Sequence, residues 1–167
     1  MTQLPLVIRP ELPADAEAID RLHERAFGPG RFARTAFRLR EGAPHLLHLS
    51  FTALVGTLLV GSVRMTPVMA GGVPALVLGP LTVDPAFENR GIGSALMTRA
   101  LEAARAAGHQ LVILVGDEPY YARFGFKAVP EGKLTLPGPV DPRRFLAAEL
   151  VPGALARAQG PVSVIRS

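Results

Sequence analysis

Two stretches of the chain place chemically useful residues at telling spacings. The first is GPLTVDPAFENRGIG, Gly79 to Gly93. An apolar strand over Ala75–Val83, broken at Gly79-Pro80, runs through Asp84-Pro85 into the turn Asn89-Arg90-Gly91-Ile92-Gly93-Ser94, which opens into a helix from Ile92. Glycines at 91 and 93 leave backbone N–H groups uncovered at the helix end where the macrodipole is positive. Such a turn can hold phosphate oxygens without a positive side chain. The second stretch is Tyr120-Tyr121-Ala122-Arg123-Phe124-Gly125-Phe126. A phenol with an ordinary pKa of about 10 stays protonated at neutral pH and can return a proton to a leaving group.

The turn alone does not name its anion. A dinucleotide fingerprint requires a small residue where Leu96 stands, and a nucleotide P-loop requires a Lys that this stretch lacks. A helix-entry turn that binds nothing is the plain alternative.

The elements around these stretches read as α+β, with strands predominating in the first half. Leu6–Arg9 is a short first strand, and Pro13–Phe27 a helix with Pro at its start. A second helix is expected over Phe32–Leu39, where Arg31, Arg34, Arg38 and Arg40 would largely share one face. His45–Leu54 and Leu58–Met65 form a hairpin around Gly56, and Gly71-Gly72 makes the next turn. The main helix, Ile92–Ala107, ends at Gly108, and Leu111–Val115 is a wholly apolar strand. A short helix begins near Pro119, and a further strand spans Phe145–Leu150. Pro80 cannot donate to a ladder, so a bulge or break is expected at Gly79-Pro80.

The pattern L-x-V-D-P-x-x-x-x-R-G-I-G-S-A-L-M followed by Y-Y-A-R-F-G-F resembles the GNAT superfamily of N-acetyltransferases. The resemblance covers residues 5–130. It implies a central mixed, mostly antiparallel sheet, splayed near Gly79-Pro80 and flanked by helices, in one domain spanning 1–167. In that family the amides of a Q/R-x-x-G-x-G/A turn hold the pyrophosphate of acetyl-coenzyme A. Here the turn reads Glu88-Asn89-Arg90-Gly91-Ile92-Gly93, so both glycines match and Glu88 departs from the pattern, with Arg90 available to offset its charge. Carried over residue by residue, Asn89, Arg90, Gly91, Ile92, Gly93 and Ser94 hold the cofactor's phosphates. Leu81, Thr82 and Val83 make main-chain contacts to pantetheine, which adds to the splayed strand as peptides add to sheet edges. Tyr121, four residues before the Gly of the G-F pair, stands at the position of the general acid near the coenzyme A sulfur; Tyr120 is the alternative that could face the site. The implied reaction is direct transfer of an acetyl group to a small-molecule or peptide amine in a ternary complex, with a backbone N–H in the 81–83 region steadying the oxyanion.

Composition bounds the remaining possibilities. The chain has 167 residues, 49% of them hydrophobic, no cysteine and a formal charge of +4. That suits one core and removes a disulfide framework, a thiolate nucleophile and a Cys-based metal site. The four histidines show no ligand spacing, so no metal is expected. The uncharged stretches Pro44–Val63 and Met65–Val83 are punctuated by Gly and Pro, which fits buried strands rather than membrane helices. No signal peptide is evident, and a cytoplasmic protein is the default. No nucleic-acid motif is present; a homodimer is left open.

The general base is unassigned. Asp84 suits a cap for the turn before Pro85, whereas Asp117 and Glu118 follow the Leu111–Val115 strand where a base or a substrate anchor could sit. Residues 131–167 are expected to finish the sheet and shape the acceptor pocket, with Arg143 and Arg144 as candidate anion contacts. Two other classes stay in view: a non-catalytic acetyl-coenzyme A-binding module, and a nucleotide-binding α/β enzyme with Asp117 on a ribose.

Overall fold

Turn chemistry organises the first half of the sheet. Gly71 and Gly72 both adopt left-handed conformations, φ +53° and +86°. A two-residue turn with positive φ at both positions matches the twist of a hairpin, and it joins β3 (Leu58–Ala70) to β4 (Val73–Val83). Gly56, at φ +62°, begins the corresponding turn between β2 (Phe51–Val55) and β3. The computed structural model describes residues 5–27 and 44–165. The helix expected over Phe32–Leu39 and its arginine cluster lie outside the described residues.

Among the described residues the sheet runs β1 (Leu6–Pro10), β2, β3, β4, β5 (Leu111–Val115), β8 (Phe145–Glu149), β6 (Lys127–Ala128). The pairs along this order are antiparallel except β4 with β5. β9 (Gly160–Val164) pairs with the distal half of β3, and β7 (Leu134–Thr135) runs parallel to β9. This is the mixed, mostly antiparallel sheet the resemblance implied.

Three corrections concern boundaries: the strand expected to end at Met65 runs on to Ala70, and two other elements start differently. The strand expected from His45 begins only at Phe51, after a 3-10 turn at Leu47–Leu49. Ser50 explains the delay: its hydroxyl donates to the Leu46 carbonyl (2.7 Å) and accepts from the Met65 amide (3.0 Å), so the turn takes the place of the ladder. The helix expected from Pro13 opens as a 3-10 turn, Pro13–Asp15, before α1 (Ala16–Phe27).

Each sheet face is covered by a different part of the chain. α2 (Ile92–Ala106) lays Ile92, Leu96, Met97, Ala100, Leu101 and Ala104 against Val63, Met65, Leu76, Leu78, Val112 and Leu114. Each such fully buried aliphatic side chain contributes roughly 1.5–3 kcal/mol of transfer free energy. On the other face α1 packs Ile19 and Leu22 on Leu59, and residues 129–162 cover Val68, Val77, Leu111 and Ile113.

A buried charge cluster ties β1 to β3. Glu11 is 3% exposed and accepts from Arg64 Nε and Nη2 (both 3.1 Å) while lying 2.8 Å from His45 Nε2. Burial pushes the Glu11 carboxyl up, but the bonds to His45 and Arg64 outweigh it and hold the group below its ordinary value. A carboxylate lowered in this way stabilises the fold above its unfolded pKa, near 4.5, and that stability is lost as pH falls through the folded value. Acid unfolding followed by circular dichroism should therefore steepen below about pH 4.5 in the native sequence. Glu11→Gln, which leaves Arg64 without its carboxylate, should cost about 3 kcal/mol at neutral pH in chemical denaturation and should blunt that acid dependence.

Candidate functional site

The site begins where β4 parts from β5. The two strands run parallel and pair only at Leu76 with Val112 and Val77 with Ile113. Beyond Val77, β4 keeps its other partner: Leu78 faces Met65, then Leu81 faces Val63, Thr82 faces Ser62 and Val83 faces Gly61. Gly79 and Pro80 together stand against Arg64, two residues opposing one, the geometry of a bulge. The Gly79-Pro80 peptide is cis. The backbone edge of β4 beyond the bulge is thus left without a strand on its β5 side, which is the splay expected at this position. β4 lies between β3 and β5, not at a sheet edge.

Past the splay the chain enters the glycine turn. Asp84 Oδ1 accepts from the Ala86 amide (3.0 Å), and its other oxygen pairs with Arg25 at 3.1 Å. Asn89 (φ +63°) and Gly91 (φ +79°) are both left-handed, so successive amides tilt into a concave nest. The first bond of α2 runs from the Ala95 amide to the Gly91 carbonyl at 3.0 Å. The amides of Ile92, Gly93 and Ser94 therefore have no acceptor within the helix and face the turn. A Cβ added at Gly91 would meet no atom within 4 Å, whereas one at Gly93 would come within 2.9 Å of the Tyr120 hydroxyl, 3.8 Å of Val83 and 4.0 Å of Leu81.

The opposite wall is α3 (Glu118–Tyr121), which follows β5. Tyr120 and Tyr121 meet edge to face, ring centroids 4.9 Å apart. The Tyr121 ring fills the space that a Cβ on Gly116 would occupy and packs on Phe126 at 5.9 Å. Burial pushes the Tyr121 phenol up to about 12, with Tyr120 and Asp117 acting in the same direction and Arg144 against it.

The structure thus brings Leu81, Val83 and the Tyr120 hydroxyl to Gly93, while the Tyr121 ring lies behind Tyr120 on Gly116 and Phe126. Asn89 and Arg90 are exposed at its rim, with the Arg90 guanidinium 5.1 Å from the Phe87 ring. Ile92 buries its side chain in the core, so only its amide faces the turn. Thr82 buries its hydroxyl, and neither it nor that of its cross-strand neighbour Ser62 has a hydrogen-bond partner among the described residues.

The carboxylates near the site have other roles. Glu118 accepts from the Ala128 amide (2.9 Å), tying α3 to β6. Asp117 occupies the cap position without a side-chain cap bond, its carboxylate 3.6 Å from Arg144. Arg143 pairs with Asp141 at 3.0 Å. Among the described residues no cluster of His, Asp and Glu could hold a metal ion, and no helix is long and apolar enough to cross a membrane. Two features escaped the sequence reading. Gly116 was visible only as a strand boundary, and the placement of Tyr120 over Gly93 depends on a contact between α2 and α3 that no local spacing encodes.

Comparison with known proteins agrees with this geometry. The profile of the acetyltransferase (GNAT) family matches residues 16–126. The Escherichia coli (strain K12) protein named uncharacterized N-acetyltransferase YhbS is 31% identical over 159 residues, 94% of this chain and 95% of the relative. The solved structure of YhbS from Escherichia coli in complex with CoA superimposes with TM-score 0.82 at 28% identity, covering 99% of this chain and 92% of that one. A GNAT family acetyltransferase from Brucella melitensis in complex with acetyl-CoA gives 0.64 at 32% identity, covering 86% and 96%.

The raised Tyr121 phenol is directly measurable, because the chain has two tyrosines and no tryptophan. Alkaline spectrophotometric titration of the native protein should show one phenol resisting ionisation until about pH 12. A proton held more tightly in the native state stabilises the fold below the unfolded pKa, about 10. That contribution should fade as pH rises from there through the folded value, and Tyr121→Phe should abolish both effects.

Proposed function

The chain belongs to the acetyltransferase (GNAT) family, and on that footing we propose that it transfers an acetyl group from acetyl-coenzyme A to an amine by direct attack in a ternary complex. The observation that carries this reading is the cleft where β4 parts from β5, with an amide nest at one end and the Tyr120–Tyr121 pair next to it, Tyr120 against Gly93. YhbS and the Brucella protein, both at more than 25% identity, were solved with CoA and acetyl-CoA.

The residues present suit that ligand. The space at Gly91 admits a phosphate to the backbone, and the amides of Ile92, Gly93 and Ser94 point into the nest that Asn89 and Arg90 border. Glu88 and Arg90 are both exposed, so solvent screens the acid that departs from the family pattern. Leu81, Thr82 and Val83 offer main-chain groups to the pantetheine amides, Thr82 through its backbone only. When bound, acetyl-coenzyme A supplies an activated thioester. A backbone N–H in the 81–83 region holds the carbonyl oxygen as charge develops on it. Tyr121, kept neutral by burial, returns a proton to the departing sulfur. The acceptor is a small-molecule or peptide amine, and residues 131–167 shape its pocket within a single domain.

A non-catalytic acetyl-coenzyme A-binding module is the second reading. It draws on one observation: Asp84 and Glu118 are engaged in structural bonds and Asp117 in an ion pair, so none of the three stands out as a base. Turnover separates the two readings.

Calorimetry should give one-to-one binding of acetyl-coenzyme A, weakened at least tenfold by Gly91→Val. Tyr121→Phe should lower turnover roughly a hundredfold while leaving the dissociation constant unchanged. Gly116→Ala, which forces the Tyr121 ring out of place, should likewise lower turnover more than affinity. No binding would reject the cofactor, and unchanged turnover in Tyr121→Phe would reject the general acid.

A further inference from the structure

Tyr120, the first tyrosine of the pair, has no part in the reaction described so far. Its ring is nevertheless held from several sides. Tyr121 abuts it edge-on, Phe124 lies 5.8 Å away, and the Arg123 guanidinium stacks over it at 4.6 Å. Arg123 is itself anchored, because its Nε donates to the Tyr120 carbonyl at 3.0 Å. This restraint carries the phenol across the mouth of the cleft from α3 to the first turn of α2, where the hydroxyl lies against Gly93 beside Leu81 and Val83. There the hydroxyl has no hydrogen-bond partner among the described residues, although it stands next to amides that also lack one within the helix. Neither packing nor internal hydrogen bonding requires an oxygen at that ring position, since phenylalanine would keep every ring contact.

We propose that Tyr120 is a cofactor-gripping residue: its hydroxyl donates to the diphosphate of coenzyme A held at the start of α2, with Arg123 fixing the ring and adding positive charge. The inference rests on the cofactor reading above and divides the tyrosines between two tasks, Tyr121 at the sulfur and Tyr120 at the phosphates. A phenol donor suits an anion because it supplies a directed bond without a competing negative charge near neutral pH. Arg123, together with Arg90 on the other side of the turn, offsets Glu88. The ring also narrows the cleft mouth, so the extended arm of the ligand passes between it and the edge of β4.

The test compares Tyr120→Phe, Tyr121→Phe and the native protein with acetyl-coenzyme A and with acetyl-pantetheine, which lacks the diphosphate. Affinity is read by calorimetry, kcat and kcat/KM by steady-state kinetics, and fold integrity by the melting temperature. Tyr120→Phe should weaken acetyl-coenzyme A binding about tenfold, keep kcat within about twofold and leave kcat/KM for acetyl-pantetheine unchanged. Arg123→Ala should weaken acetyl-coenzyme A binding in the same selective way. Unchanged affinity in Tyr120→Phe would overturn the assignment. So would an equal loss on both acetyl donors, which would move the contact to the pantetheine arm. A fall in kcat at constant affinity would make Tyr120 the acid instead. Failure of the native protein to bind acetyl-coenzyme A would overturn the cofactor reading itself and this inference with it.

Discussion

One constraint shapes the molecule: β4 must stay hydrogen-bonded to β3 while withdrawing from β5. Parallel pairing with β5 ends after Val77, yet pairing with β3 continues to Val83. The bulge at Gly79-Pro80 reconciles the two by adding a residue against Arg64, and Pro80 has no N–H to lose from a ladder. Burial follows the same division. Residues 75–79 are buried, whereas of the residues that follow them directly in the strand, 80, 81 and 83 are only partly so. The strand is thus core at one end and cleft wall at the other, and α2 and α3 start where they do because each follows one of the diverging strands.

That arrangement explains why so little of the site is charged. A backbone nest, an open strand edge and a neutral phenol are groups that keep their character without ionised neighbours. Several ionised side chains nearby bear on architecture: Asp84 holds the turn and α1, Glu118 holds β6, and Glu11 with Arg64 and His45 locks β1 to β3 behind the bulge. In such a site rate comes from positioning, so residues that locate others count as much as those that contact the ligand. Gly116 is the clearest instance, since its missing side chain is the seat of the Tyr121 ring.

The sequence disclosed those parts of this design that are local. Gly91 and Gly93 declare a helix-entry nest, Gly71-Gly72 a hairpin, Pro80 a break, and the run Leu111–Val115 a buried strand, because each depends on backbone preferences of a few adjacent residues. The first turn of the Pro13 helix, the start of β2 and the far end of β3 differ from the sequence expectation, the second because the Ser50 hydroxyl replaces ladder bonds with Met65, fifteen positions away. The Glu11, His45 and Arg64 cluster could not be read at all, since it joins groups 34 and 53 residues apart. The same holds for Tyr120. Its place in the motif was plain, but which way it faces depends on how α2 and α3 meet across the cleft.

The order of the strands also bears on how the molecule comes into being. β4, α2 and β5 are consecutive, so the nest and the cleft floor can assemble from a short piece of chain. The outer partners arrive late: β8 closes on β5, and Val68 of β3 waits for Val164 of β9. Pairings so distant along the chain carry a large loop-closure cost and slow folding. During synthesis the distal edge of β3 therefore stays open until residues 162–164 have been made, and an open apolar strand edge is a template for mispairing with other chains. In this protein β9, made long after β3, acts as the guard of that edge.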